Sequence, residues 1–132
     1  MPKAISLILI IVGLIHLLPI TGVLGAEKLY GLYGVAIGDS NLELLMRHRA
    51  VLFGLLGTFL IYAAFNPVLY RHATLAGLVS VVSFIVLAYT TTIHYNHAVG
   101  TIIAVDIVAA TLLLIAVILL LTDKPLGVNY LR

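Results

Sequence analysis

Asp106 is the ionisable residue set most deeply in apolar surroundings. It follows Thr101-Ile-Ile-Ala-Val and precedes Ile-Val-Ala-Ala, within a stretch long enough to span a bilayer. A charged side chain inside hydrocarbon is costly, so such a residue indicates a function or a buried pair. At helical spacing Asp106 shares a face with Ala109 and Leu113, and small residues mark contacts between membrane helices. We therefore predict that Asp106 points into a helix bundle.

Two arginines two positions apart offer a partner for this carboxylate. Arg47 and Arg49 would lie about 200° apart on a helix. Arg47 shares a face with Gly54 and follows Glu43 by four positions, the spacing of an intrahelical ion pair. We predict that Arg47 faces the bundle and that Arg49 extends to the lipid headgroups, with His48 between them.

Histidines from two other apolar stretches are expected at the same depth. This depth is the outer half of the bilayer, where outer means the side that carries the long loop 25–40. His16 lies below the outer end of the first stretch, and His94 ends the third on a face with Ser80 and other hydroxyl residues. An Arg47–Asp106 ion pair with His16 or His94 as hydrogen-bond partners would satisfy all of them. The candidate ligand-binding residues are Arg47, Asp106, His16, His94, Glu43, His48 and His97.

This polar cluster permits several interpretations. It could bind a small lipophilic or anionic molecule, such as a lipid or quinone, because convergent polar groups between bundle helices form ordinary ligand sites. It could instead serve a small membrane enzyme by proton transfer, or hold haem or a metal, with His16 and His94 facing each other. It could also be a structural ion pair that fixes helix packing. We favour ligand binding, and predict no metal, no cofactor and no identifiable catalytic residue.

The composition restricts the class of protein before any element is assigned. The chain has 132 residues, of which 63% are hydrophobic and 9% charged, with a mean hydropathy of +1.23. A soluble domain carries roughly 25% charged residues, so this chain is expected to lie in a membrane. The absence of Cys excludes disulfides and zinc–thiolate sites, and the net charge of +2 without a basic run gives nucleic-acid binding no support.

Four apolar stretches predict an all-α, up-down bundle of four transmembrane helices, forming a single domain over 1–132. The predicted spans are about 4–24, 42–65, 73–93 and 98–121, joined by a short interfacial segment at 25–40. Ser40 and Glu43 form a capping-box pattern that predicts the start of the second span. Asn66-Pro67 predicts its end, and Pro19 predicts a bend in the first span.

Charge placement predicts the orientation. Lys3, Arg71, Lys124 and Arg132 fall on the side of the two termini, against three basic residues on the outer side, so the positive-inside rule favours cytoplasmic termini. The expected partners are membrane lipids and a small lipophilic ligand. A homo-oligomer or a larger membrane complex is a further possibility.

The chain resembles the small four-helix bacterial membrane proteins of the DoxX-like type over most of its length. The resemblance rests on His16-Leu-Leu-Pro19, on Leu29-Tyr-Gly-Leu-Tyr-Gly34, on Arg47-His-Arg49 at the head of the second span, and on Asp106. It implies a four-helix bundle in the bacterial inner membrane without a settled function. Redox or quinone-linked roles have been proposed for such proteins, and this chain has no Cys for thiol chemistry.

Overall fold

The computed structural model describes residues 2–91 and 94–122. Every regular element in these two ranges is helical. The α-helices are α1 (Pro2–Leu17), α2 (Ala26–Tyr33), α3 (Ser40–Ala64), α4 (Tyr70–Thr91) and α5 (His97–Thr122), and 3₁₀ segments lie at Leu18–Leu24 and Pro67–Leu69. The prediction of an all-α fold is confirmed.

Four helical stretches are long and apolar enough to cross a membrane. They are Pro2–Leu24, Ser40–Ala64, Pro67–Thr91 and His97–Thr122. Within their most apolar windows only 22% to 33% of the residues are buried inside the protein, and large apolar side chains such as Leu7, Leu44 and Leu55 are exposed. A surface this apolar requires a hydrocarbon environment, so the chain is an integral membrane protein.

Side-chain hydrogen bonds at the two ends show how the spans alternate in direction. At one end the Tyr70 hydroxyl lies 2.6 Å from Ser6 Oγ and 3.4 Å from the carbonyl oxygen of Ala64. This joins the start of α1, the end of α3 and the start of α4. At the other end Asn96 Nδ2 donates to the carbonyl oxygen of Tyr33 at 2.9 Å, so α2 and the α4–α5 connection share the outer end.

The helix boundaries differ from the predicted ones by a few residues. Asp39 caps α3, because its Oδ1 accepts a hydrogen bond of 2.9 Å from the amide of Leu42; the prediction that Ser40 is the cap was wrong by one position. The third helical stretch begins at Pro67, before the predicted 73. The α-helical geometry of the first span changes to 3₁₀ at Leu18, beside Pro19, which lacks an N–H and crowds the preceding turn. Lys124 and Arg132, which enter the predicted orientation, lie outside the described residues.

α1 and α3 approach most closely where two glycines meet. A Cβ added to Gly57 would lie 2.7 Å from the carbonyl oxygen of Gly13 and 3.0 Å from the amide nitrogen of Leu17. The reciprocal addition at Gly13 would come within 2.9 Å of the carbonyl oxygen of Gly57. Only glycine fits such a backbone contact, so the small-residue face of α3 is used inside the protein, against the first span.

The connection between the first and second spans contains a helix, which the sequence had predicted only as an interfacial segment. Leu29 and Tyr33 of α2 are buried, whereas Tyr30 is exposed. α2 ends at Tyr33 and is followed by Gly34, whose φ of +63° favours glycine and whose amide donates to the carbonyl oxygen of Tyr30 at 2.7 Å. α2 therefore covers the outer end of the bundle rather than only resting at the interface.

Candidate functional site

A cavity of about 220 Å³ lies under α2, between the outer parts of α1, α3 and α5. We call it the outer cavity. Most of its wall is hydrocarbon, and its polar groups come from four different elements. Its lining residues are Ile15, His16, Leu18, Pro19, Leu32, Tyr33, Arg49, Phe53, Thr101, Ile102, Val105 and Asp106.

Arg49 is the cation of the outer cavity. Its guanidinium carbon lies 5.3 Å from the ring centre of Tyr33, 5.0 Å from that of Phe53 and 5.5 Å from that of Phe84. These distances are in the range of cation–π attraction. Among residues 2–91 and 94–122, no acceptor lies within hydrogen-bonding distance of this guanidinium. The prediction that Arg49 extends to the headgroups was wrong, because α2 and α4 supply aromatic rings that hold it within the bundle.

Arg47 lies outside the outer cavity. Its Nε donates a hydrogen bond of 2.8 Å to the carbonyl oxygen of Val23, and its Nη1 lies 3.6 Å from Glu43 Oε1. About half of its side chain is exposed to solvent or headgroups. The predicted inward placement of Arg47 and its ion pair with Asp106 were therefore wrong, whereas the Glu43–Arg47 pair is confirmed. The outer end of α3 lies against Leu18–Leu24, and the Val23 carbonyl of that segment accepts the hydrogen bond from Arg47.

Asp106 lines the outer cavity from α5 and is partly buried. Ala109 and Leu113, on the same face one and two turns further along, are fully buried, which confirms that this face points into the bundle. In the described part of the chain, no side chain lies within hydrogen-bonding or ion-pair distance of the carboxylate. Its electrostatic partner is Arg49 across the cavity.

His16 is almost completely buried, with 2% of its surface exposed. Its Nδ1 lies 2.9 Å from the carbonyl oxygen of Val12, which can only accept, so Nδ1 carries the proton. In the neutral ring Nε2 then accepts from the Ser80 hydroxyl at 3.2 Å. The ring also packs at 5.8 Å from that of Phe53. Both ring nitrogens are engaged within the protein, so this arrangement does not support His16 as a ligand of haem or of a metal ion.

The remaining predicted residues do not join the cavity. His48, His94 and His97 are exposed near the outer end and do not line it. Of the hydroxyl stripe predicted to accompany His94, Ser80 faces the interior, whereas Thr90 is exposed. Among the described residues no three His, Asp or Glu side chains come close enough to hold a metal ion. Of the four residues predicted to converge, the structure brings only His16 and Asp106 together.

Three aromatic residues of the site were not among the predicted site residues. Phe53 follows Arg49 by four positions, which places it beside Arg49 on the same face of α3, and this was the available signal. Tyr33 and Phe84 belong to other elements, so only the tertiary structure brings them to Arg49. Burial raises the pKa of the Tyr33 phenol above its ordinary value, and the positive charge of Arg49 partly offsets that rise.

A second cavity of about 190 Å³ lies on the other side of Arg49. It is lined by Tyr33, Arg49 and Ile102, which it shares with the outer cavity, and by apolar residues that include Phe84 and Met46. The side chains of Tyr33 and Arg49 therefore stand as a partition between two spaces at the outer end of the bundle.

Asn96 joins α2 to the start of α5, so it connects two walls of the outer cavity. Its Nδ2 donates to the carbonyl oxygens of Tyr33 at 2.9 Å and Gly34 at 3.2 Å. Its Oδ1 accepts from the amide of Val99 at 2.9 Å, which caps the first turn of α5. One side chain thus holds the backbone behind the Tyr33 ring and begins the helix that carries Asp106.

Comparison with known proteins found no relative. No protein-family model matches the chain, and no curated protein or solved structure is significantly similar to it. The resemblance to DoxX-like membrane proteins accordingly stays a prediction, and the site must be interpreted from its own geometry.

Proposed function

We propose that this protein binds a small amphiphilic molecule in the outer cavity, with the polar head between Arg49 and Asp106 and the apolar part against the hydrocarbon wall. One observation carries the proposal. The Arg49 guanidinium, held by three aromatic rings, lines a cavity in which its N–H groups have no hydrogen-bond acceptor among the described residues.

The energetics of the guanidinium favour an acceptor supplied from outside the protein. A guanidinium has five N–H donors, and a buried polar group without a partner costs roughly 1–3 kcal/mol. Cation–π contacts return about 0.5–2 kcal/mol each, but an aromatic ring does not replace an oxygen acceptor for the N–H donors. The N–H groups of Arg49 therefore remain available to a ligand oxygen, and the surrounding rings spare the ligand part of the cost of ordering the side chain.

The size and position of the cavity fit a small membrane-soluble molecule. A void of about 150 Å³ suffices to bind benzene, so a cavity of about 220 Å³ admits a polar head with the first part of a chain or a ring. Leu18 and Thr101, which contribute to its lining, are exposed at the side of the bundle. A molecule dissolved in the bilayer could thus enter between the first span and α5.

The proposed setting is the bacterial inner membrane with cytoplasmic termini, as the charge count and the DoxX-like resemblance favour. The outer cavity would then open into the leaflet away from the cytoplasm. Lipids and quinones are the abundant amphiphiles there, and either would present oxygen acceptors to Arg49.

Native mass spectrometry of the purified protein tests the proposal. We expect the wild type to retain one small molecule in stoichiometric amount, and Arg49→Ala to lose it. Arg47→Ala is the matched control, because it removes an arginine two positions away that does not line the cavity. Equal retention by both arginine variants would contradict the proposal.

A second pair of variants tests the cavity itself. Val105→Phe introduces a ring into the outer cavity, whereas Val108→Phe adds the same ring to an exposed position on the same helix. We expect Val105→Phe alone to reduce the bound fraction. If both variants reduce it equally, the molecule sits on the outer surface of α5 instead.

The structural interpretation of the cluster has a specific observation in its favour. His16 is satisfied entirely by Val12 and Ser80, and such a buried contact can fix the packing of α1 against α4. Under this interpretation Asp106 also serves packing, and Asp106→Asn should lower the free energy of unfolding of the ligand-free protein. Unchanged stability in a denaturation experiment would favour ligand binding.

A further inference from the structure

We infer that the outer cavity selects an electrically neutral head that has both a hydrogen-bond donor and an acceptor, a hydroxylated lipid rather than a fatty-acid anion, and that Asp106 determines this preference. The inference rests on the proposed function and specifies its ligand class.

Among the described residues, the charges of the side chains that line the outer cavity sum to zero. Arg49 contributes one positive charge from α3 and Asp106 one negative charge from α5. From α1, His16 contributes none, because it is 2% exposed and no carboxylate of the described residues lies within ion-pair distance to compensate a buried positive charge. From α2, Tyr33 presents a phenol. The rest of the lining is hydrocarbon apart from the Thr101 hydroxyl.

A cavity whose lining charges cancel disfavours a ligand with an ionic head. A carboxylate placed against Arg49 would gain its attraction and meet the repulsion of Asp106 in the same low-dielectric space. The carboxylate would also lose its free energy of hydration, and a site that attracts and repels it at once does not compensate that loss. A cationic head meets the same difficulty with the two residues exchanged. The more distant pair of Glu43 and Arg47 is itself neutral and changes neither argument.

A neutral head with a hydroxyl and an oxygen acceptor meets both residues without this conflict. An ester or hydroxyl oxygen accepts from the unengaged N–H groups of Arg49, and the hydroxyl donates to the Asp106 carboxylate, which has no other donor among the described side chains. Hydrogen bonds to charged groups are the stronger kind. Both charges then remain paired across the ligand, which suits their position inside a span.

Monoolein and oleate are the probes that separate the two heads, because they share one hydrocarbon chain. We measure the binding of each to detergent-solubilised wild type and Asp106→Asn by titration in native mass spectrometry. The wild type should bind monoolein at least about tenfold more tightly than oleate. Asp106→Asn, which removes the negative charge at nearly constant shape, should reverse the order.

Arg49→Gln provides the opposite charge change and keeps the test informative if Asp106→Asn does not fold. It leaves a cavity with a net negative charge, so oleate binding should fall below detection while monoolein binding weakens.

A wild type that prefers oleate, or an Asp106→Asn variant that keeps the wild-type ratio, overturns the inference. If the wild type prefers oleate and Val105→Phe abolishes that binding, the outer cavity is still a ligand site, and only the inferred preference for a neutral head is overturned. If neither probe binds the wild type more tightly than it binds Val105→Phe, the proposed function is overturned as well.

Discussion

Replacing Asn96 with Asp separates its two tasks. The aspartate keeps an oxygen that accepts from the Val99 amide, and Asp is a good N-cap residue, so α5 should begin normally. It cannot donate to the carbonyl oxygens of Tyr33 and Gly34, so the link to α2 is lost. Asn96→Ala is the comparison, because it removes both the link and the cap.

The size of the effect follows from the two lost hydrogen bonds. Each contributes a net 0.5–1.5 kcal/mol, so the free energy that holds the end of α2 should fall by about 2 kcal/mol. The carboxylate facing two carbonyl oxygens adds to this loss. Since about 1.4 kcal/mol corresponds to a factor of ten, the amides of α2 that exchange by local opening should exchange about thirtyfold faster.

Hydrogen–deuterium exchange measured by mass spectrometry reads this out. The informative segment is 26–34, where the Gly34 amide is bonded to the carbonyl oxygen of Tyr30. Both Asn96 variants should accelerate exchange there, and only Asn96→Ala should accelerate it in the first turn of α5. If Asn96→Asp left exchange in α2 at the wild-type rate, the idea that Asn96 holds α2 over the cavity would be refuted.

Two further predictions concern packing and pH. Gly57→Ala should lower the free energy of unfolding, measured by chemical denaturation, by about 1–3 kcal/mol, because the added Cβ has no room beside Gly13. Gly31→Ala is the control: a Cβ added there meets no atom within 4 Å, so this variant should not lower the free energy of unfolding. Burial raises the pKa of Tyr33, so its folded state holds the phenolic proton longer than the unfolded chain does. This difference in proton binding stabilises the folded state. The contribution is fully present below about pH 10 and is lost as the pH rises through the pKa of Tyr33 in the folded state. Tyr33→Phe should remove this loss in denaturation curves measured on both sides of that pH, and an unchanged pH dependence would count against the burial of the phenol.

The spans could be predicted because each is decided locally. A run of about 20 apolar residues has one stable arrangement in a bilayer, and the inward direction of Asp106 followed from Ala109 and Leu113 on its own face. His16 was correctly placed in the outer half for the same reason, since its depth depends only on its distance from the end of the first span.

The choice between the two arginines could not be made from one helix. α3 has two buried faces, one with Gly54 and Gly57 against the first span and another that includes Leu60. Periodicity shows that both faces are apolar or small, but not which neighbour lies on each. The Arg49 face is completed by Tyr33, from a helix that the sequence did not predict. The buried Leu29 stabilises that helix through tertiary contacts rather than through its own short length.

The contact between Gly13 and Gly57 lies about one helical turn below the outer cavity, since His16 and Phe53 line the cavity from the next turn of each helix. Below it, the Tyr70 hydroxyl ties the inner ends together. The outer parts of the first span and α3 are joined as well, by the hydrogen bond of 2.8 Å from Arg47 to the carbonyl oxygen of Val23. The first span and α3 are thus held together at three depths, and they form a rigid wall of the outer cavity. We expect any change in the width of the cavity to come from movement of α5, whose Thr101 is exposed at the edge of the cavity.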